Sequence, residues 1–251
     1  MSGLFLETML IIAAVAPLSE LLSFGDKGYL DELMWGAFAT VEISFFAYLF
    51  GVCLGLLGAV GKLSGGRISR FLLDAYTTLF RAVPELVLIM LLYYAGTSGI
   101  NDIGIAIGYG PVEMNGIVVA IFVLGIVQGA YHTEVLRAAI QAVPLGQTEA
   151  AKAYGMTPFT LFRRVTLPAM LPFAIPGLGN LWLNITKDSA LVAVVGATEL
   201  ANATRVAAGG AKYYFTFYAL AALIYLLISL LSNQFFLRLE NRVRRGQPKL
   251  T

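Results

Sequence analysis

The stretch Glu149–Pro168, EAAKAYGMTPFTLFRRVTLP, stands between two of the most apolar segments of the chain. It is polar, basic and dense in helix-capping signals. Gln147–Tyr154 are good helix formers. Gly155 follows, where a helix end commonly needs a left-handed residue. Thr157 offers an N-cap oxygen, and Pro158 suits a first helical position. FTLFRRV continues as a second short helix, and Pro168 and Pro172 are expected to stop it before the next apolar run. Two capped helices joined at a glycine predict a compact hairpin rather than a plain linker. Ala150 and Ala151 give it a low-profile face that another protein can approach closely.

The rest of the chain explains why such a hairpin stands out. Of 251 residues, 58% are hydrophobic and 13% charged. Soluble domains have about 45–50% apolar and about 25% charged residues. This excess predicts a bilayer as solvent. A net charge of +2 gives no ground for nucleic-acid binding. One cysteine, Cys53, excludes a disulfide within the chain. The first 26 residues hold no Lys or Arg, so a cleaved secretory signal is not expected.

Long runs nearly free of charge predict an all-α fold with five spans, at 36–61, 76–96, 114–138, within 171–196 and at 213–237. The fourth is interrupted by Pro172, Pro176 and TKD. The stretch 4–24 carries Glu7, Pro17 and Glu20 and suits an interfacial helix better than a sixth span. With five spans, Lys62, Arg67, Arg70, Lys152, Arg163, Arg164, Arg238, Arg242, Arg244, Arg245 and Lys249 fall on one side. The other side collects Lys27, Arg205 and Lys212 with Glu20, Asp26, Asp31, Glu32, Asp102, Glu113 and Glu199. The asymmetry predicts an outside N-terminus and a cytoplasmic hairpin and C-terminus. The expected organisation is an external segment 1–35, a membrane unit 36–238 containing the hairpin at 147–168, and a basic tail 239–251.

Charges inside spans are expensive and mark a pathway or an internal pair. Arg81 and Glu85, four apart around Pro84, are expected on one helical face, as are Glu134 and Arg137, three apart. Lys187 and Asp188 interrupt the fourth span, where a broken helix can open to a polar cavity. A cationic amino acid needs carboxylates for its positive groups, for which Glu85 and Glu134 are candidates. Arg81 and Lys187 are candidates for its α-carboxylate. The alternative is that these charges form internal salt bridges or sit at the interface, and for Arg81, Arg137 and Glu42 that alternative is at least as strong. For lone His132, packing competes evenly with a pathway role.

Nucleotide chemistry is absent from the sequence. The nearest approach to a phosphate loop, GLLGAVGKLS, has Leu56 where the first glycine belongs and Leu63 where Ser or Thr belongs. Gly51, Gly55 and Gly58 instead suit close helix packing. No nucleophile–base pair or metal cluster stands at catalytic spacing, so no enzyme and no cofactor are expected. An ion-coupled carrier or channel would use the intramembrane charges but leaves the hairpin unexplained.

EAAKAYG followed after nine residues by VTLP resembles the EAA loop of ATP-binding-cassette importer membrane subunits. Glu149, Ala150, Ala151, Gly155, Leu167 and Pro168 match its pattern, with Val165 where Ile is usual. The likeness extends over about 35–240, through GLLGAVGKLS, AYTTLFRAVPELVL, GAYHTEVLRAAIQAVP, PGLGNLWLNITKDSALV and YLLISLLSN. It is nearest to the Q-type subunits of histidine, lysine/arginine/ornithine and opine permeases, although Pro172 replaces a residue that is often basic in relatives. The resemblance implies a type I importer fold in a bacterial inner membrane. It implies that those six residues couple to a separate ATPase dimer. A related M-type permease and a periplasmic solute-binding protein complete the implied assembly. The implied cargo is an amino acid, above all a basic one or an opine, with neutral or acidic polar amino acids as the alternative.

Overall fold

The computed structural model describes residues 21–25, 28–112 and 114–244. The stretch expected at the interface, 4–24, lies outside them except for its last residues, and so does the tail beyond 244. The described residues are helical throughout, with no strand among them. The long helices are α1 (Leu30–Ser64), α2 (Arg67–Ala82), α3 (Glu85–Ala106) and α4 (Gly116–Gln141). The hairpin helices α5 (Leu145–Ala153) and α6 (Pro158–Leu161) lead through a π-helical turn, Phe162–Thr166, into α7 (Leu167–Asp188). A 3-10 segment, Ser189–Val195, precedes α8 (Leu200–Ala211) and α9 (Tyr214–Val243).

Helices α1, α3, α4 and α9 are each long and apolar enough to cross a membrane. Pro158–Val195 and α8, bent by 53° at their junction, supply the fifth span when taken together. Five is the number expected from the sequence, but two boundaries differ. The expected span 76–96 is not one helix. Val83 is extended at ψ 139°, as a residue before proline prefers, and α3 starts afresh at Glu85. Arg81 and Glu85 therefore end one helix and begin another and do not share a helical face. The other difference concerns the prolines. Pro168, Pro172 and Pro176 do not stop the chain after the hairpin. Pro168 lies in the first turn of α7, where its missing N–H costs nothing, and the π-helical turn before it takes up the change in pitch. Helix α7 breaks only after Asp188, where the chain tightens and ends at Gly196 with φ +88°.

The hairpin is capped as its sequence demands. Gly155 has φ +71°, its N–H donates to the Lys152 carbonyl, and the Met156 N–H donates to the Ala151 carbonyl. This is the double bond pattern of a glycine-terminated helix. The Thr157 Oγ1 then accepts from the Thr160 N–H.

The core is a seam between α1 and α4, which share the most extensive helix contact in the molecule. Gly51, Gly55 and Gly58 lie against His132 and Thr133, and a Cβ on Gly55 would overlap the His132 side chain and backbone. Small residues let membrane helices approach closely where no hydrophobic drive exists between them. His132 is fully buried there, with its Nδ1 at 2.8 Å from the Gln128 carbonyl and its ring edge-on to Tyr48. It has a packing role.

At the other end, α1, α8 and α9 meet over Glu199, which is fully buried. Its Oε2 accepts from the Thr40 hydroxyl at 3.0 Å and the Tyr225 hydroxyl at 2.7 Å. Its Oε1 caps α8 by accepting from the Asn202 N–H at 3.0 Å. In contrast, α3 and α9 leave Leu91, Ile103, Leu227 and Leu231 largely exposed, a surface suited to lipid or to a second apolar chain.

Two outcomes follow from these packings. Gly55→Leu should destabilise the fold by at least the ~1–3 kcal/mol typical of overpacking. Gly96→Ala, on the open face of α3, should be neutral, and thermal unfolding of the detergent-purified chain reads both. Glu199→Ala should lower the unfolding temperature markedly, because it strips three donors of one acceptor, whereas Glu199→Gln should recover most of the loss.

Candidate functional site

Four elements converge on Tyr131 of α4. Arg81 ends α2, and its guanidinium lies 5.8 Å from the centroid of the Tyr131 ring. Glu85 opens α3 and lies near enough for its charge to act on both Tyr131 and Asp188. Asp188 ends α7 and accepts from the Gln128 Nε2 at 2.7 Å. Lys187 is exposed and adds a positive field at Asp188. The sequence-predicted residues Arg81, Glu85, Lys187 and Asp188 are thus brought together. Two adjacent carboxylates from different helices repel unless a proton or a cation lies between them. Such a group fits a cationic ligand, and Arg81 and Lys187 offer a counter-charge for an anionic one.

Glu134 belongs to a second network. Its Oε1 accepts from the Lys62 ammonium at 2.6 Å. Its Oε2 accepts from the Arg137 guanidinium twice, at 2.7 and 3.0 Å. The i,i+3 pairing expected for Glu134 and Arg137 is present. Lys62 is almost fully buried and also holds Asp74 at 2.7 Å and the Thr77 hydroxyl at 2.6 Å. One ammonium therefore ties α1, α2 and α4 together. Of the two readings open for Glu134, the geometry favours the internal salt bridge.

Sequence reasoning missed Tyr131, Gln128 and Lys62. Tyr131 and Gln128 carry no charge, and only their position opposite Arg81 and Asp188 marks them. Lys62 looked like an orientation marker at a span end, but Asp74, twelve residues on, and Glu134 were available as partners.

The hairpin presents a mixed surface. Glu149, Ala150 and Gly155 are exposed, as is Pro168 at the start of α7. Ala151 is buried and Leu167 packs against the α1–α4–α7 core, so of the two alanines only Ala150 offers the low-profile face. Leu145, Tyr154 and Phe159 stand 75%, 86% and 73% exposed. An apolar ridge of this prominence beside a polar loop marks a contact surface.

The chain has clear relatives. Residues 51–245 match the model of the family described as binding-protein-dependent transport system inner membrane component. The nopaline transport system permease protein NocQ of Agrobacterium fabrum is 44% identical, over 90% of this chain and 97% of its own. The histidine/lysine/arginine/ornithine transport system permease protein HisQ of Escherichia coli is 39% identical, over 87% and 96%. A crystal structure of an amino acid ABC transporter with histidines contains a chain of the same fold. Its TM-score is 0.71 at 29% identity, over 85% of this chain and 95% of that one. The inward-facing MetNI methionine ABC transporter shares the fold at 21% identity, with a TM-score of 0.68. The helical bundle, the capped hairpin and these matches agree: the chain belongs to the family of inner membrane components of binding-protein-dependent transport systems and is a permease subunit of an ABC importer.

Proposed function

We propose that this permease imports a cationic amino acid or opine, guided through the membrane by Glu85 and Asp188. The observation that carries the reading is the pairing of these two carboxylates beside Arg81 at the meeting point of α2, α3, α4 and α7. The positive side-chain group of the cargo lies between the carboxylates, and its α-carboxylate faces Arg81 or Lys187. Relatives named for nopaline, octopine, arginine, and histidine/lysine/arginine/ornithine transport support this cargo class. Glu134 lines the same route but spends its charge on Lys62 and Arg137.

The hairpin at 147–168 is the coupling element. Glu149, Ala150, Gly155 and Pro168 face a separate ATPase, which hydrolyses the nucleotide, while Ala151 and Leu167 fix the hairpin to the bundle. The N-terminus lies outside and the C-terminus inside, because the basic residues gather at the hairpin end. The membrane unit is 36–238, with the segment 1–35 outside and the tail 239–251 inside, and its first and last helices run past these bounds from Leu30 and to Val243. Five spans leave α3 and α9 largely uncovered, which suits pairing with a related M-type permease. A periplasmic solute-binding protein delivers the cargo.

Two experiments test the reading in cells that carry the whole importer. Glu85→Gln should depress arginine or histidine uptake by about tenfold, the worth of one charge-assisted contact, and a neutral amino acid far less. An equal loss for both would assign Glu85 a structural role. Gly155→Asp, which forces φ +71° on a side chain, and Glu149→Lys should abolish ATP-driven uptake while the protein still inserts. Uptake at the wild-type rate in both would remove the coupling assignment.

A further inference from the structure

Helix α2 carries two opposed stripes. Arg70, Asp74, Thr77, Thr78 and Arg81 recur at i, i+4, i+7, i+8 and i+11 and form a polar flank. Ile68, Leu72, Ala75 and Leu79 follow the same helical spacing, offset by two residues, and form an exposed apolar flank. The polar flank climbs along α4. At its lower end, Asp74 and Thr77 share the Lys62 ammonium with Glu134. At its upper end, Arg81 stands over Tyr131, beside Glu85 and Asp188. Arg70, Asp74, Thr78 and Arg81 are exposed along this flank.

Between α1, α2 and α4 this flank borders an open cavity of about 560 Å³. Its size falls within the ~300–1,000 Å³ usual for small-molecule sites. The lining cations are Lys62, Arg70, Arg81 and Arg137, and the lining carboxylates are Asp74 and Glu134. The carboxylates are already taken by Lys62 and Arg137. Among the described residues, Arg70 and Arg81 have no carboxylate within 4.0 Å. Arg70 uses only its Nε, donating to the Lys62 carbonyl at 3.2 Å, and Arg81 meets only the Tyr131 ring. Both arginines are exposed on this flank, and the terminal nitrogens of each guanidinium are left free to meet a carboxylate.

We infer that this cavity is an exit-side subsite, where Arg70 takes the α-carboxylate of the amino acid on from Arg81 after it leaves the Glu85–Asp188 pair. The inference rests on the import function proposed above and deepens it. Arg81 lines both places, so the carboxylate moves along the polar flank without crossing an apolar gap. The cationic end of the cargo meets unbalanced positive charge in the cavity. It is therefore held by the carboxylate alone, and weakly, which favours release at the hairpin end.

The test compares L-arginine with agmatine, its decarboxylated analogue, by titrating each into the full chain in lipid nanodiscs and reading bound ligand by carbon-13 NMR. Arg70→Gln should weaken arginine about tenfold, the loss of one charge-assisted carboxylate contact, and leave agmatine unchanged. Arg70→Lys should restore much of the arginine affinity, which a mere folding defect would not. If Arg70→Gln weakens both ligands equally, or neither, the subsite is overturned and the Glu85–Asp188 reading stands. If the wild-type chain binds neither ligand, both readings fall.

Discussion

The close approach of α1 to α4 sets the rest of the structure. With no hydrophobic drive between helices in lipid, the two are held by packing, and Gly51, Gly55 and Gly58 let α1 ride directly on His132 and Thr133. That register brings Lys62, near the end of α1, within reach of Glu134 on α4. It also leaves room for Tyr76 of α2, whose hydroxyl donates to the Ile126 carbonyl. The seam thus fixes the α2 flank against α4, and through it the position of Arg81 and Glu85 beside Tyr131. A larger residue at Gly55 would move every one of these groups.

On the proposed reading, charge placement separates scaffold from pathway. Lys62, Asp74, Glu134 and Arg137 balance one another, and Glu199 has its donors in place. Lys62 and Glu199 are the buried members, and removing a partner of either strands a buried charged group. Glu85, Asp188, Arg70 and Arg81 are different. Two like charges adjoin, and two guanidinium groups have no carboxylate within ion-pair reach. On the proposed reading, a ligand carrying both signs meets these groups at both ends.

The sequence made the hairpin legible because its signals are local. A left-handed glycine, a threonine cap and a proline at the first helical position act within a few residues. The spans were legible in number through hydropathy, but their ends were not. Pro84 breaks a helix because Val83 is free to extend, whereas Pro168 follows directly on a π-helical turn and Pro172 lies inside α7 without ending it. The residue type is the same, and only the local hydrogen-bond geometry tells the cases apart. Glu85 and Asp188 stood out as intramembrane charges, but their adjacency depends on a contact between α3 and the end of α7, far apart in sequence. Lys62 was legible as a charge and not as a buried hub, since its partners come from two other helices.

The same contact explains why the helix break lies where it does. The prolines of α7 leave it continuous from the hairpin turn to Asp188, 22 residues or about 33 Å of helix. Asp188 is the last residue of that rod, and the 3-10 segment and Gly196 free the chain beyond it to turn into α8. On the proposed reading, a shift imposed on the hairpin travels down a stiff element and arrives at one carboxylate of the cargo site. Glu85, across the gap on α3, is not attached to that rod. A break at Pro172 or Pro176 would have absorbed the motion before it reached Asp188. On that reading, the break after the carboxylate lets the hairpin change the spacing of the Glu85–Asp188 pair, and with it the hold on a cation.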